Sequence, residues 1–124
     1  MHRTLAQVEA AYELLRTLPP FRGWHLPPGD DVEFHLTRHR DRVADHRFEN
    51  GTHKIRISLC YDASVDDLLR VLAHEACHMR QAIVAPRDSS LHGRRFERHA
   101  AAVNKHHPAW EIGVHHVVHE TDLC

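Results

Sequence analysis

Three observations predict an α+β fold. Three stretches carry apolar residues at helical spacing, two short segments alternate apolar and polar residues, and no repeat, linker or low-complexity run divides the 124 residues. One domain over residues 1–124 is large enough for a single hydrophobic core without staples. The expected arrangement is a small, mostly antiparallel sheet beside one central helix, with two further helices packed around it.

Taken in chain order, Thr4 followed by Gln7 resembles a capping box, and Leu5, Val8, Tyr12 and Leu15 form an apolar helical stripe that stops before Pro19-Pro20. This helix reads as core scaffold. The segment from Phe21 to Asp31 is rich in Pro and Gly and reads as a loop leading into the alternating strand Val32, Phe34, Leu36. A basic stretch follows from Arg38 to Arg47. Asn50-Gly51 then marks a hairpin turn, with Ile55, Ile57 and Leu59 alternating on the return strand. Ser64-Val65-Asp66-Asp67 supplies an N-cap with an acidic residue at the third helical position, and the run to Ala85 contains no Gly or Pro. Leu68, Leu72, Ala76, Met79 and Ile83 recur at helical spacing, and Pro86 ends the helix. A further helical run extends from Arg94 to Lys105. Beyond Pro108, Trp110, Ile112 and Val114, with Val117 and Val118, suggest a short terminal strand or an irregular wrap.

The central helix carries His74-Glu75-Ala76-Cys77-His78, an H-E-x-x-H motif. Four residues apart, His74 and His78 stand one above the other on a helix face, so two neutral imidazoles can grip one cation. Glu75 is turned about 100° from His74, which sets its carboxylate beside the metal as a base for a bound water. With 15 His and 8 Glu, a shuffled chain would contain this motif roughly one time in nine, so the five residues prove little alone. Their position in a long helix, off its apolar stripe, is what favours a metal site over a solvated His-rich helix.

Catalytic zinc keeps three protein ligands and one open position, so a third donor must come from elsewhere. A metzincin arrangement would need Gly at position 81 and His at 84, which are Gln81 and Val84. Glu97 lies where a second helix would supply an acidic ligand. His92 is the better candidate: it precedes the helix that starts at Arg94, after a loop long enough to fold back over the first helix. Gly93 beside it permits a sharp turn or a close backbone approach.

His74-Glu75-x-x-His78, thirteen intervening residues and then His92-Gly93-x-x-Phe96 together resemble the SprT-like zinc metallopeptidases, whose eukaryotic members include the Spartan and Wss1 proteases. His99 and Asn104 also look like positions often occupied in that family. The resemblance covers roughly residues 55 to 105. It implies a zincin-like fold, a zinc ion on His74, His78 and His92, Glu75 as general base, and hydrolysis of protein or peptide substrates. The chain departs from many family members in lacking a Cys-rich zinc ribbon, since Cys60, Cys77 and Cys124 cannot build a second structural site. Association with DNA, and a role on DNA-protein adducts, rest on family analogy alone.

Composition narrows the alternatives. Charge is nearly balanced, 16 Lys and Arg against 17 Asp and Glu, which disfavours a protein dominated by nonspecific phosphate binding. Arg38, Arg40, Arg42 and Arg47 are interleaved with Asp41 and Asp45 and read as a mixed-charge solvated surface. No apolar run is long enough for a membrane span, and the amino terminus lacks a signal-peptide layout. Three cysteines fit a reducing cytoplasm better than a disulfide framework. Cys77 points away from the metal face of its helix and reads as a buried, inert thiol. His115, His116 and His119 have spacing for a second metal, or belong to an exposed His-rich tail. Tyr61 and His99 are candidates to polarise a substrate carbonyl. The preferred function is zinc-dependent peptide-bond hydrolysis. A non-catalytic metal-binding or interaction module of the same fold is the alternative, against which an intact Glu75 argues.

Overall fold

The computed structural model describes residues 3–61, 64–116 and 119. The first helix, α1 (Leu5–Thr17), starts on the expected capping box: the Thr4 hydroxyl accepts from the Gln7 amide, and the Gln7 side chain accepts from the Thr4 amide. It buries Val8, Ala11, Tyr12 and Leu15. Tyr12 donates its hydroxyl to the Pro27 carbonyl, which pins the following loop to the helix. Three strands follow, β1 (Val32–Thr37), β2 (Ala44–Glu49) and β3 (Thr52–Ser58).

Asn50 and Gly51 both take positive φ, 52° and 76°, the geometry of the tight turn that joins β2 to β3. The sheet order is β1-β3-β2, with β1 parallel and β2 antiparallel to β3. Half of the pairing is therefore parallel, where a mostly antiparallel sheet was expected. The cause is topological: the hairpin inserts its return strand beside β1, leaving β2 outside. β2 itself begins inside the Arg38 to Arg47 stretch that reads as basic in sequence and runs on to Glu49.

Paired residues share a face, so Val32, Phe34 and Leu36, His53, Ile55 and Ile57, and Ala44, His46 and Phe48 all point to one side. The other side carries charges in pairs. Arg56 forks onto Asp45, and Lys54 reaches Glu33 and Glu49. A sheet with one charged face must stack its helices on the other, which gives the α+β architecture.

The central helix α2 (Val65–Val84) begins at Ser64, whose hydroxyl accepts from the Asp67 amide, and stops before Pro86. Leu68, Leu72, Ala76 and Met79 are buried as the stripe predicts, whereas Ile83 is exposed. α2 lies between the sheet, α1 and the third helix, α3 (Arg94–His106). After α3 the chain makes one turn of 3-10 helix (Pro108–Trp110) and wraps irregularly back across α2. Val117 and Val118 lie outside the described residues.

Cys77 is buried, and burial pushes its thiol far up, consistent with an inert group. Cys60 is disulfide-bonded, a single bridge where the sequence favoured none. No helix among the described residues is long and apolar enough to cross a membrane.

Candidate metal centre

Three imidazoles converge at the middle of α2. His74 Nε2 lies 3.3 Å from His78 Nε2 and 3.4 Å from His92 Nε2. His74 and His78 are brought together by the helical repeat. His92 arrives from the loop between α2 and α3, as the sequence spacing allows.

That loop is held by α2 itself. Gln81, 5% exposed, donates its amide to the Ser90 carbonyl at 2.7 Å. The Asp88 carboxylate accepts from the Ser90 amide and hydroxyl, and takes Arg95 on its other oxygen at 2.9 Å. A Cβ at Gly93 would lie 2.6 Å from Ser90 Oγ, so a larger residue there would have to push the Ser90 side chain off its bond to Asp88. Beneath the cluster, Phe96 is fully buried with its ring centroid 4.7 Å from those of His78 and His92 and 5.0 Å from that of His74. The last residue of the H-G-x-x-F segment is thus the apolar floor of the centre.

This donor set fits a metal ion better than it fits hydrogen bonds alone. Two nitrogens about 2.1 Å from a tetrahedral metal stand about 3.4 Å apart, which matches the separations found here. His74 also hydrogen-bonds the Gly113 backbone, and Nε2 is already committed to the cluster, so this bond falls to its other nitrogen. One remaining lone pair on Nε2 cannot serve two imidazole donors. A ligating imidazole oriented by a backbone carbonyl is the usual outer-shell arrangement of metal sites.

Electrostatics keep the cluster neutral. Burial, helped by His116, His78 and His92, lowers His74 to about 2, and burial with His92 lowers His78 to about 4. His92 is also lowered, by burial and His115. Neutral imidazoles are the ligating form.

Glu75 sits at 2% exposure, and its Oε2 finds no hydrogen-bond partner. Burial, with a smaller contribution from the Asp45 charge, raises its carboxyl to about 8. A carboxylate oxygen of Glu75, a ring nitrogen of His74 and one of His116 all lie within 4.8 Å of one another. A buried carboxyl group left unpaired costs stability unless something outside the protein's own atoms completes it.

Other expectations resolve plainly. Glu97 is exposed and joins no ligand cluster among the described residues. Tyr61 donates its hydroxyl to the Arg40 carbonyl, and His99 lies against Trp24, so neither faces the cluster. Asn104 is a structural clamp: its side chain both donates to and accepts from the Ile112 backbone, at 2.9 and 2.8 Å. The C-terminal histidines do not gather into a second site. His115 is exposed, His116 packs on His74, and His119 bonds Asp67.

Sequence reasoning missed Gln81, Asp67, Gly113 and His46. His46 hydrogen-bonds His53 at 2.8 Å and faces His78 with nearly parallel rings, 6.4 Å apart. Only its inward register on β2, read from the Asn50-Gly51 turn, could have pointed to it.

Among curated proteins nothing matches the chain. The model of the SprT-like family matches residues 13–116, a span that takes in the motif helix, the His92 loop and the strap that returns to His74, and the chain belongs to that family.

Proposed function

We propose that this chain, acting as one domain of zincin-like fold, is a zinc-dependent peptidase that hydrolyses peptide bonds of protein substrates. The observation that carries the reading is Glu75: a buried carboxyl with an unpartnered oxygen, within 4.8 Å of a ring nitrogen of His74, the imidazole on which His78 and His92 converge. A module that merely stores a metal has no use for such a group. His74, His78 and His92 would hold the ion. Bound there, zinc would polarise the scissile carbonyl and lower the pKa of a water toward about 7.

Glu75 takes the proton of the attacking water and hands it to the leaving amine. A raised carboxyl pKa suits this exchange, and a divalent cation alongside draws it back toward the ionised form. Phe96 and Gln81 hold the rings and the loop in register while the proton moves.

The sheet supports a mode of substrate binding. β3, the return strand of the hairpin, lies between β1 and β2 and offers no edge. β2 is an edge strand packed against α2, with His46 next to His78. An extended substrate segment would pair along β2 and bring its carbonyl to the centre.

The test is Glu75→Gln, which keeps shape and leaves the ligands intact. Zinc should be retained while hydrolysis of an unfolded protein falls by about 10² to 10⁴, the usual range for a lost general base. His78→Ala is the control and should lose metal and activity together. A Glu75→Gln chain that cleaves as fast as wild type overturns the mechanism.

A further inference from the structure

We propose that the cavity at the hairpin end of the sheet, lined by Asp30, Asp31, Phe48, His53 and Ile83, is a side-chain pocket for an arginine of the protein substrate. The proposal rests on the reading that the chain is a peptidase whose substrate pairs along β2.

The cavity holds about 610 Å³, within the range of small-ligand sites and ample for one long side chain. Register puts it at one end of the inner face of the sheet. Val32, His53 and Phe48 are cross-strand neighbours that face inward together, in the row next to Phe34, Ile55 and His46. All three residues of the first row line the cavity, with Ile83 from the last turn of α2. Phe48 is 50% exposed, so a large aromatic ring stands unburied there.

The polar groups of the lining select a cation. Among the described residues, no Lys or Arg lines the cavity, and none pairs with Asp30 or Asp31. Glu33, the third carboxylate of the lining, is shared with Lys54 on the charged face of the sheet. His53 points to a ligand independently. It is 7% exposed, its Nδ1 lies 2.8 Å from His46 Nε2, and its own Nε2 has no partner among the described residues. Burial keeps this ring below the ordinary imidazole range, hence neutral. When Nδ1 donates to His46, Nε2 carries the lone pair and accepts an N–H. A guanidinium brings five N–H donors in one plane, a charge for the two carboxylates and a flat face for the Phe48 ring. An ammonium supplies the charge without the plane.

The pocket is tied to the metal centre through one imidazole: His46 bonds His53 on one side and faces the His78 ring on the other. His46 and Phe48 both point inward, two residues and about 7 Å apart along β2. A segment paired on the free edge of β2 repeats that period, so when one of its inward residues is level with His46, the next is level with Phe48. The segment itself runs about 4.8 Å outside β2. Only a long side chain reaches past Phe48 to His53 from there, which again favours arginine.

The test uses the full zinc-loaded chain and four extended peptides that differ only in carrying arginine, lysine, citrulline or norleucine at one position. Citrulline keeps the shape of arginine without its charge. Titration calorimetry with Glu75→Gln should show the arginine peptide bound at least about tenfold more tightly than the citrulline peptide, the scale of one hydrogen bond to a charged group. Wild type should cut the arginine peptide at a fixed distance from that residue. Adding Asp30→Asn and Asp31→Asn to Glu75→Gln should bring the arginine to citrulline ratio close to one. Arginine bound no more tightly than any of the other three, or a preference that survives the loss of both carboxylates, overturns the pocket. If wild type cuts none of the peptides while Glu75→Gln keeps the preference, the peptidase reading fails and the pocket stands.

Discussion

Gln81 donates to the Ser90 carbonyl at 2.7 Å, so the helix that carries His74 and His78 also fixes the loop that carries His92. The two halves of the centre are thereby joined by a bond that involves no ligand. Replacing Gln81 with Leu removes that bond while keeping an apolar side chain of similar size. A net hydrogen bond is worth about 1 kcal/mol, so zinc affinity should fall roughly fivefold by chelator competition. Unchanged affinity would mean that the Asp88 bonds to Ser90 and Arg95 suffice to hold the loop.

Phe96 contacts all three converging imidazole rings from one buried position. Phe96→Ala should cost about 3–5 kcal/mol, a large share of the roughly 5–15 kcal/mol that holds a typical domain folded. Phe96→Leu retains most of the volume and is the sharper test: the metal-free chain should stay folded with a smaller loss, while zinc binding weakens. Urea unfolding with chelator present separates the two effects, because bound metal would itself stabilise the fold. A Leu variant with wild-type zinc affinity would reduce Phe96 to a core residue.

The metal-free chain should be most stable near pH 6.5. Burial lowers His74 to about 2, His46 to about 3, and His78 and His116 to about 4, from an ordinary 6.5. Between about pH 4 and 6.5 the unfolded chain therefore binds protons that the folded one does not, and stability rises with pH. Glu75 acts oppositely: raised by burial from 4.5 to about 8, it keeps in the folded chain a proton that the unfolded chain has lost. Its contribution declines as pH climbs from 4.5 to about 8. Four histidines outweigh one carboxyl below 6.5, and Glu75 alone acts above it among these groups. Urea midpoints measured against pH should show a falling limb from 6.5 to 8 that Glu75→Gln abolishes. A limb that survives the substitution would remove the buried, protonated Glu75 from the account.

Substrate pairing along β2 makes a separate demand. In Glu75→Gln, which traps without cleaving, an unfolded protein substrate should slow amide exchange in residues 44–49 and leave the central strand β3 unaffected. Protection confined to β1 would put the substrate on the opposite edge.

What could be read in the sequence was local. The Thr4-Gln7 box, the Ser64 cap, the Asn50-Gly51 turn and the apolar stripe of α2 each involve residues within a few positions of one another, so their physics is visible in the linear chain. β2 escaped because its outward residues are Asp45, Arg47 and Glu49 and its inward ones include only small Ala44 and polar His46 beside Phe48. The parallel pairing of β1 with β3 depends on the hairpin folding back, which no local signal encodes. His74, His78 and His92 could be singled out because two share a helix face and the third precedes a Gly. The packing of His116 on His74 could not, since among 15 histidines only the fold-back of the chain and its anchors at Asn104 and Asp67 single it out.

The central claim is a zinc ion held by His74, His78 and His92. It is tested most directly by metal content, measured side by side for wild type, His92→Ala and Glu97→Ala after purification in zinc-containing buffer. One zinc per chain is expected in wild type and Glu97→Ala, and a large loss in His92→Ala. Zinc stripped by the Glu97 change and kept by the His92 change would contradict the centre described here.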